Sequence, residues 1–373
     1  MPKPHILVAG GGVIGLLCAY ELACAGRTVT VFDKGEAGRE ASWAAGGILS
    51  PLHPWRYPAP VTWLAQAGMR DYAALCKVLH AQSGIDPEWI PSGLLRLGED
   101  EADEALAFGA RFGIPVEATT TGRHRHLVPG VADGPALWLP EVAQVRSPRL
   151  LQALKGTLAA QGVAVHAHAQ VERLLWRGNR VAGLVVNGEE VAAETVIVTA
   201  GPWSQAFLAD YGLSLPVHPV RGQMIRIGSV PGLLKTMILQ GSHYLIPRRD
   251  GSVVAGSTLE ETGFDKAVTE EARAQLHAFA CGLVPALAAF PVTHQWAGLR
   301  PSSPEGIPFI GEHPELNRLF VNTGHFRNGI VLGPGSARLM ADLVLGRSPF
   351  LDPAPYGLER GGRDTRSASG VLY

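Results

Sequence analysis

The stretch His5-Ile6-Leu7-Val8-Ala9-Gly10-Gly11-Gly12-Val13-Ile14-Gly15, continued by an apolar helical segment to Ala25-Gly26 and by Thr28-Val29-Thr30-Val31-Phe32-Asp33, decides the fold of this chain. It reads as strand, glycine turn, helix, strand. The glycines do different things there. Gly10 permits the tight turn, Gly12 lets the backbone approach a pyrophosphate, and Gly15 lets helix and strand pack closely. The free N–H groups at the helix start favour an anion. Asp33 follows Gly15 by 18 residues at the end of the second strand. A carboxylate there accepts hydrogen bonds from a ribose and repels a 2′-phosphate, so a dinucleotide is expected and NADP is disfavoured.

Arg39-Glu40-Ala41-Ser42-Trp43-Ala44-Ala45-Gly46-Gly47 comes next, crowded with small residues that let backbone lie against a flat ring system, with Ser42 available to a phosphate. Helical spacing is expected from Val61 to Gln82, Glu99 to Phe112, Leu150 to Gly162, Thr269 to Leu283 and Gly329 to Leu345. Strand patterns fall at Gly93 to Gly98, Val163 to His166, Val171 to Trp176, Val181 to Val186, Thr195 to Val198, Gly222 to Ile227, Ser242 to Pro247, Ser252 to Gly256 and Arg318 to Thr323. Arg248-Arg249-Asp250-Gly251 has the chemistry of a hairpin turn. The helix beginning at Gly329 is expected to aim a second N-terminus at the cofactor.

This order predicts a mixed α/β and α+β protein. A Rossmann-like nucleotide domain is assembled from residues 1–85, 140–215 and 300–358, and a second, mainly antiparallel-sheet substrate domain from 86–139 and 216–299. The polar stretch 359–373 is expected to be a mobile tail. With 373 residues, 46% of them hydrophobic and 17% charged, the chain is long enough for two packed domains. Basic and acidic residues balance at 32 against 33 without long runs of one sign, which disfavours nucleic acid and anionic lipid as partners. No apolar stretch reaches the roughly 18 residues that span a membrane, and no cleavable leader is visible, so a soluble cytoplasmic protein is expected. Cys18, Cys24, Cys76 and Cys281 are scattered, and the pairs His124/His126 and His166/His168 lack companions, so no metal site is expected.

Taken together, the N-terminal unit, SWAAGG (Ser42–Gly47), VIVTAGPWS (Val196–Ser204), HYLIPRRDG (His243–Gly251), WAGLRPSSPEGIPFIG (Trp296–Gly311) and GHFRNGIVLGPG (Gly324–Gly335) resemble the D-amino acid oxidase family of flavoenzymes, and within it the glycine-oxidising branch. The resemblance spans nearly the whole chain. It implies non-covalent FAD, since no cysteine lies near AGLRP or GHFRNG, with Gly10, Gly12, Val13, Ile14, Gly15, Asp33, Lys34, Ser42, Ala45, Gly46, Gly47, Val171 and Gly201 along the cofactor and His325, Phe326, Arg327, Asn328, Gly329, Ile330 and Val331 beside its ring. It also implies that Arg300 and Tyr244 hold a substrate carboxylate, with Arg327 close by. A planar guanidinium suits that role, because it grips a carboxylate with two parallel charge-assisted bonds.

The implied reaction moves a hydride from Cα of glycine to flavin N5, followed by reoxidation with O2 and hydrolysis of the imine to glyoxylate and ammonia. The imine would also serve the thiazole of thiamin, and a homo-oligomer, a tetramer in similar enzymes, is expected. No dedicated base is required, and His243, adjacent to Tyr244 on a strand, should face the other way. Two departures matter: Asp33 stands where glutamate is more usual, and Gly47 stands where a bulkier residue would narrow the pocket. The second leaves room for sarcosine, N-ethylglycine or a small D-amino acid. Competing readings are a dehydrogenase of the same fold that passes electrons to a quinone or carrier protein, and a non-catalytic flavoprotein module.

Overall fold

Alternation along His5–Ala9 explains how the first layer is built. Ile6 and Val8 point into one apolar cluster and Leu7 and Ala9 into another, so this strand is covered on both faces. The computed structural model describes residues 5–229 and 232–362. The strand lies inside a six-stranded sheet ordered Phe309–Glu312, Leu319–Thr323, Thr195–Val198, His5–Ala9, Thr28–Phe32, Ala164–His166. All neighbours pair parallel except the Phe309–Glu312 edge. Helices Val13–Cys24, Ala59–Ser83, Ser147–Ala160 and Gly329–Leu345 cover one face.

The other face is covered by a separate three-stranded antiparallel sheet, Val171–Arg177, Arg180–Val186 and Glu189–Ala192. Leu174 and Leu184 pack there against Val196 and Val198. The strand pattern of this segment is visible in the sequence, but its pairing as an independent layer is not.

A second, eight-stranded sheet runs Val292–Ser302, His218–Ser229, Ser252–Gly256, His243–Pro247, Met237–Gln240, Leu94–Leu97, Pro135–Leu139, Glu117–Thr120. It is antiparallel except where Met237–Gln240 meets Leu94–Leu97. Its alternation divides the side chains again: Ile225, Leu245 and Ala255 face helix Glu270–Leu283, while Met224, Tyr244, Ile246 and Val254 face the opposite way. His243 packs against Phe279 of that helix, ring centroids 5.1 Å apart and tilted by 38°, and so lies on the opposite side from Tyr244.

The strand expected at Gly222 begins at His218, because the edge partner Val292–Ser302 continues the ladder to His218↔Ser302. The helix expected from Glu99 begins at Ala102. The expected tail does not start at Glu359. Residues Leu358–Gly362 form a turn of 3₁₀ helix, and Arg360 donates to the carbonyls of Ile307 (3.3 Å) and Pro308 (2.9 Å). Residues 363–373 lie outside the described residues. Among the described residues no helix is long and apolar enough to cross a membrane, and no His/Cys/Asp/Glu group could hold a metal ion.

Candidate active site

One elongated cavity runs between the two large sheets, from the glycine turn after the first strand to the inward face of the second sheet. At its nucleotide end, close packing leaves no room for side chains. Gly10 has φ +115, and a Cβ there would lie 2.5 Å from the Thr199 carbonyl oxygen; one on Gly15 would lie 1.9 Å from the Gly10 carbonyl oxygen. Helix Val13–Cys24 has no capping side chain at Gly12, and beyond Val13 N, which donates to Ser42 Oγ, its first turn keeps amide donors for an anion. Asp33 is anchored on both oxygens, accepting from Gly11 N (2.8 Å) and Gly35 N (2.9 Å). Its remaining lone pairs stay available to a sugar hydroxyl. Lys34 Nζ sits 3.3 Å above the centre of the Trp203 ring.

The middle of the cavity is walled by Ala41–Gly47 and by Gly324–Ile330. Trp296 Nε1 donates to Ala44 O (3.0 Å), and a Cβ on Gly298 would lie 2.6 Å from that of Ala44, so the edge strand presses directly on the small-residue loop. Arg248 crosses from the hairpin to the same loop, donating through Nη2 to Gly46 O (2.5 Å) and through Nη1 to Val145 O (3.1 Å) and Gln144 Oε1 (3.0 Å). Burial pushes its guanidinium down to about 10. On the opposite wall, His325 pairs through Nε2 with Ser336 Oγ at 2.9 Å, and burial drives its imidazole down to about 3, so it is neutral.

At the far end stand Arg300, Tyr244 and Arg327. Arg300 is held by neutral acceptors only: Nη1 donates to Arg221 O (3.3 Å) and Thr258 O (3.1 Å), Nη2 to Ser257 Oγ (2.8 Å). Burial, and then the nearby charge of Arg327, lower its pKa to about 10. Gly222 faces it from the neighbouring strand, and a Cβ there would fall 2.0 Å from the guanidinium. The Tyr244 hydroxyl donates to Met224 Sδ (3.7 Å), and its ring fills the space left by Gly46 and Gly256. Arg327 Nη2 makes one long contact, 3.4 Å, to Ser242 O. The acidic residues lining the cavity, Asp33 and Glu40, belong to the other end, where Glu40 pairs with Lys266 at 2.9 Å. Arg300 and Arg327 therefore face one end of the cavity with no carboxylate of the described residues lining it there.

The family model described as FAD dependent oxidoreductase (DAO) matches residues 5–343. The chain belongs to this family of FAD-dependent oxidoreductases. It is 47% identical over 356 residues to a glycine oxidase of Pseudomonas aeruginosa, covering 94% of this chain and 98% of that one. A solved glycine oxidase from Geobacillus kaustophilus superposes with a TM-score of 0.89 at 32% identity, over 95% of this chain and 99% of the other. A bifunctional protein ThiO/ThiG of Trichormus variabilis is 31% identical over 91% of this chain and 52% of its own length.

FAD is accordingly the cofactor of this flavoenzyme, and the cavity fits it: glycines where a Cβ would collide, a helix start beneath whose next amides after Val13 stay free, an acid at the end of the second strand and a wall of small residues for the ring. Ser42 lines the cavity as expected, while the placement of Gly15, Val331 and Gly47 differs from expectation. Ser42 Oγ accepts from Val13 N (2.9 Å), which leaves only its O–H to offer a phosphate. Gly15 does not line the cavity and works by packing, while Val331 is buried with its carbonyl against Gly68 and does not line the cavity either. Gly47 does not enlarge the substrate pocket. With φ +81, its added Cβ would run into Val145 O at 2.0 Å, so the space beside it is filled by main chain. The remaining expected residues, from Gly10 to Gly201 and from His325 to Ile330, line one cavity.

Sequence reasoning did not single out Gly222, Met224, Ser257 or Trp203. Gly222 and Ser257 carry no local signal, since they matter only because a neighbouring strand brings Arg300 against them. Arg248 carries a signal, its place in HYLIPRRDG, but that segment reads locally as a hairpin turn. Its main chain does make the turn, with Arg248 N donating to Ser252 O (2.8 Å), while its side chain supports the flavin loop.

Proposed function

We propose that this chain catalyses the oxidative deamination of glycine, converting glycine, water and O2 to glyoxylate, ammonia and hydrogen peroxide. The observation that carries this reading is Arg300: a half-buried guanidinium with neutral hydrogen-bond partners, opening on a cavity whose substrate end has no acid among the described residues. An incoming α-carboxylate supplies the missing charge and takes a two-pronged bond. The likeness to glycine oxidases over almost the full chain supports glycine as the amino acid.

In this reading the dinucleotide part of FAD lies along Gly10, Gly12, Val13, Ile14, Asp33 and Lys34, with Val171 and Gly201 on the far wall. Ser42–Gly47 and His325–Ile330 would hold its ring between them. When bound, FAD accepts the hydride from the substrate Cα and returns the electron pair to O2. The chain supplies position. Arg300 fixes the carboxylate, Tyr244 turns its hydroxyl from Met224 to the second carboxylate oxygen, and Arg327 adds a second positive charge beside it. His325 is committed to Ser336 and no carboxylate faces the substrate end, consistent with a reaction in which the amine arrives neutral and needs no dedicated base.

The same reading assigns residues 1–85, 140–215 and 300–358 to the cofactor domain and 86–139 and 216–299 to the substrate domain, with Arg300–Ser302 completing the edge strand of the second sheet. It makes the working enzyme a cytoplasmic homo-oligomer and, supported by the likeness to the bifunctional protein, a source of glycine imine for the thiazole of thiamin. Anaerobic mixing of the yellow holoenzyme with glycine, sarcosine, D-alanine and D-proline tests the substrate. Glycine is expected to bleach the oxidised-flavin absorbance fastest, with peroxide appearing when air is admitted. Absence of bleaching by every one of these amines would end the amine-oxidase reading.

A further inference from the structure

Two of the three acceptors that hold Arg300 are main-chain carbonyls, those of Arg221 and Thr258. Arg300 is therefore placed only as accurately as the strand at 221 and the segment at 257–260 are held against each other. The regular ladder between these segments ends at Met224↔Gly256. Beyond it stands a single isolated bridge, Arg221↔Glu260, with Arg221 N donating to Glu260 O (2.9 Å) and Glu260 N to Arg221 O (3.0 Å).

The Glu260 side chain locks that bridge. Its Oε2 accepts from Arg221 Nε (3.0 Å) and Nη2 (2.5 Å), and its Oε1 accepts from Gln223 Nε2 (2.9 Å) and from the Thr258 hydroxyl. Asp265 takes the remaining face of Arg221 at 2.7 Å. None of Arg221, Gln223, Thr258, Glu260 or Asp265 lines the cofactor cavity. The network thus reaches the substrate end through the Arg300 guanidinium and through Gly222, Met224 and Ser257, the cavity-lining neighbours of Arg221, Gln223 and Thr258 in the chain.

We infer that Glu260 is a positioning residue for substrate binding, setting the location of the Arg300 guanidinium through Arg221 and Thr258. This rests on the proposed reading of Arg300 as the carboxylate ligand. A charged, two-pronged clamp is the kind of contact that holds a group within a few tenths of an ångström, and a misplacement of about 1 Å at a reacting site costs up to about 100-fold. The segment has other anchors, Phe264 stacked 5.6 Å from Trp203 and Lys266 paired with Glu40. An isosteric change at 260 should therefore loosen the clamp without releasing the segment.

The test uses holoenzyme carrying Glu260→Gln, titrated with glycolate, a carboxylate lacking the amine, by the change in flavin absorbance, and assayed with glycine. The expected result is a rise of about tenfold in both the glycolate Kd and the glycine KM, with kcat within threefold and FAD affinity unchanged. The double variant Arg221→Gln/Glu260→Gln should be no worse than the worse single variant, because the two act as one clamp. Asp265→Asn, at a half-exposed position, should move glycolate binding in the same direction by two- to threefold and serves if Glu260→Gln does not fold. A glycolate Kd within twofold of wild type, or a fall in FAD affinity and kcat in proportion to binding, overturns the inference. Arg300→Leu separates the two claims: if it binds glycolate normally, the reading of Arg300 fails and the inference with it. If it loses glycolate while Glu260→Gln retains it, only the inference falls.

Discussion

The two ends of the cavity are built in opposite ways. The nucleotide end is made of main chain from one local strand–helix–strand unit, in which Gly10, Gly12 and Gly15 matter for the side chain they lack and Asp33 for two amides it accepts from. The substrate end is made of long side chains, Tyr244, Arg300 and Arg327, that arrive from two strands of the second sheet and the loop before the last helix, and each is held by residues far away in sequence. Anion binding by aligned amides needs close approach and therefore glycine. Grip on a carboxylate needs a charged fork at fixed distance and therefore an arginine with a scaffold behind it. Damage at the first end should cost the cofactor, and damage at the second should leave a yellow protein that no longer answers its substrate.

The largest effect should come from the substrate end. Arg300→Leu is expected to keep FAD and raise the apparent Kd for glycine by about 30-fold or more, since removing one partner of a buried charged contact costs about 2–5 kcal/mol. Flavin bleaching against glycine concentration reads it, and an unchanged midpoint would break the contrast. At the other end, Gly15→Ala forces helix and strand apart against the Gly10 carbonyl. About 1–3 kcal/mol of stability should be lost with most of the bound FAD, as measured by the ratio of flavin to protein absorbance after gel filtration.

Arg248→Met tests the seam between the ends. It deletes the charged bonds to Gly46 O and Val145 O, each of a type worth about 1.5–3 kcal/mol, so a lower melting temperature and weaker FAD binding are expected, with a smaller change in glycine KM than Glu260→Gln produces. The smallest effect is one of pH. His325 titrates near 3 when folded and near 6.5 when unfolded, so below pH 6.5 the unfolded chain takes up the proton that the folded one refuses, and stability falls with pH. Between pH 7 and 5.5 this amounts to about 1 kcal/mol, and His325→Gln should lose that much less stability than wild type over the same interval in thermal melts.

Much of the nucleotide end was legible because its determinants are neighbours in the chain. A glycine turn between an apolar strand and an apolar helix has one physical reading once a second strand and an acid follow it. Alternation in Ser242–Pro247 likewise separates Tyr244 from His243 without reference to any tertiary contact. Less was legible wherever a residue's meaning depends on what lies opposite. Gly47 reads as an open space and is closed by Val145; Arg248 reads as a turn and also reaches the small-residue loop at Gly46; Val331 reads as lining and packs on Gly68.

The amino-acid sequence alone determined the periodicities, the dinucleotide unit and the charged and aromatic residues available for an amino acid, because hydrophobic spacing and turn chemistry act over a few residues. Tertiary structure alone decided that Val171–Ala192 forms a layer of its own, that Leu94–Leu97 pairs parallel with Met237–Gln240, and that Arg221 and Glu260 stand behind Arg300. Such pairings join residues tens or hundreds of positions apart. They are selected by the packing of whole faces, and no local pattern records which partner wins.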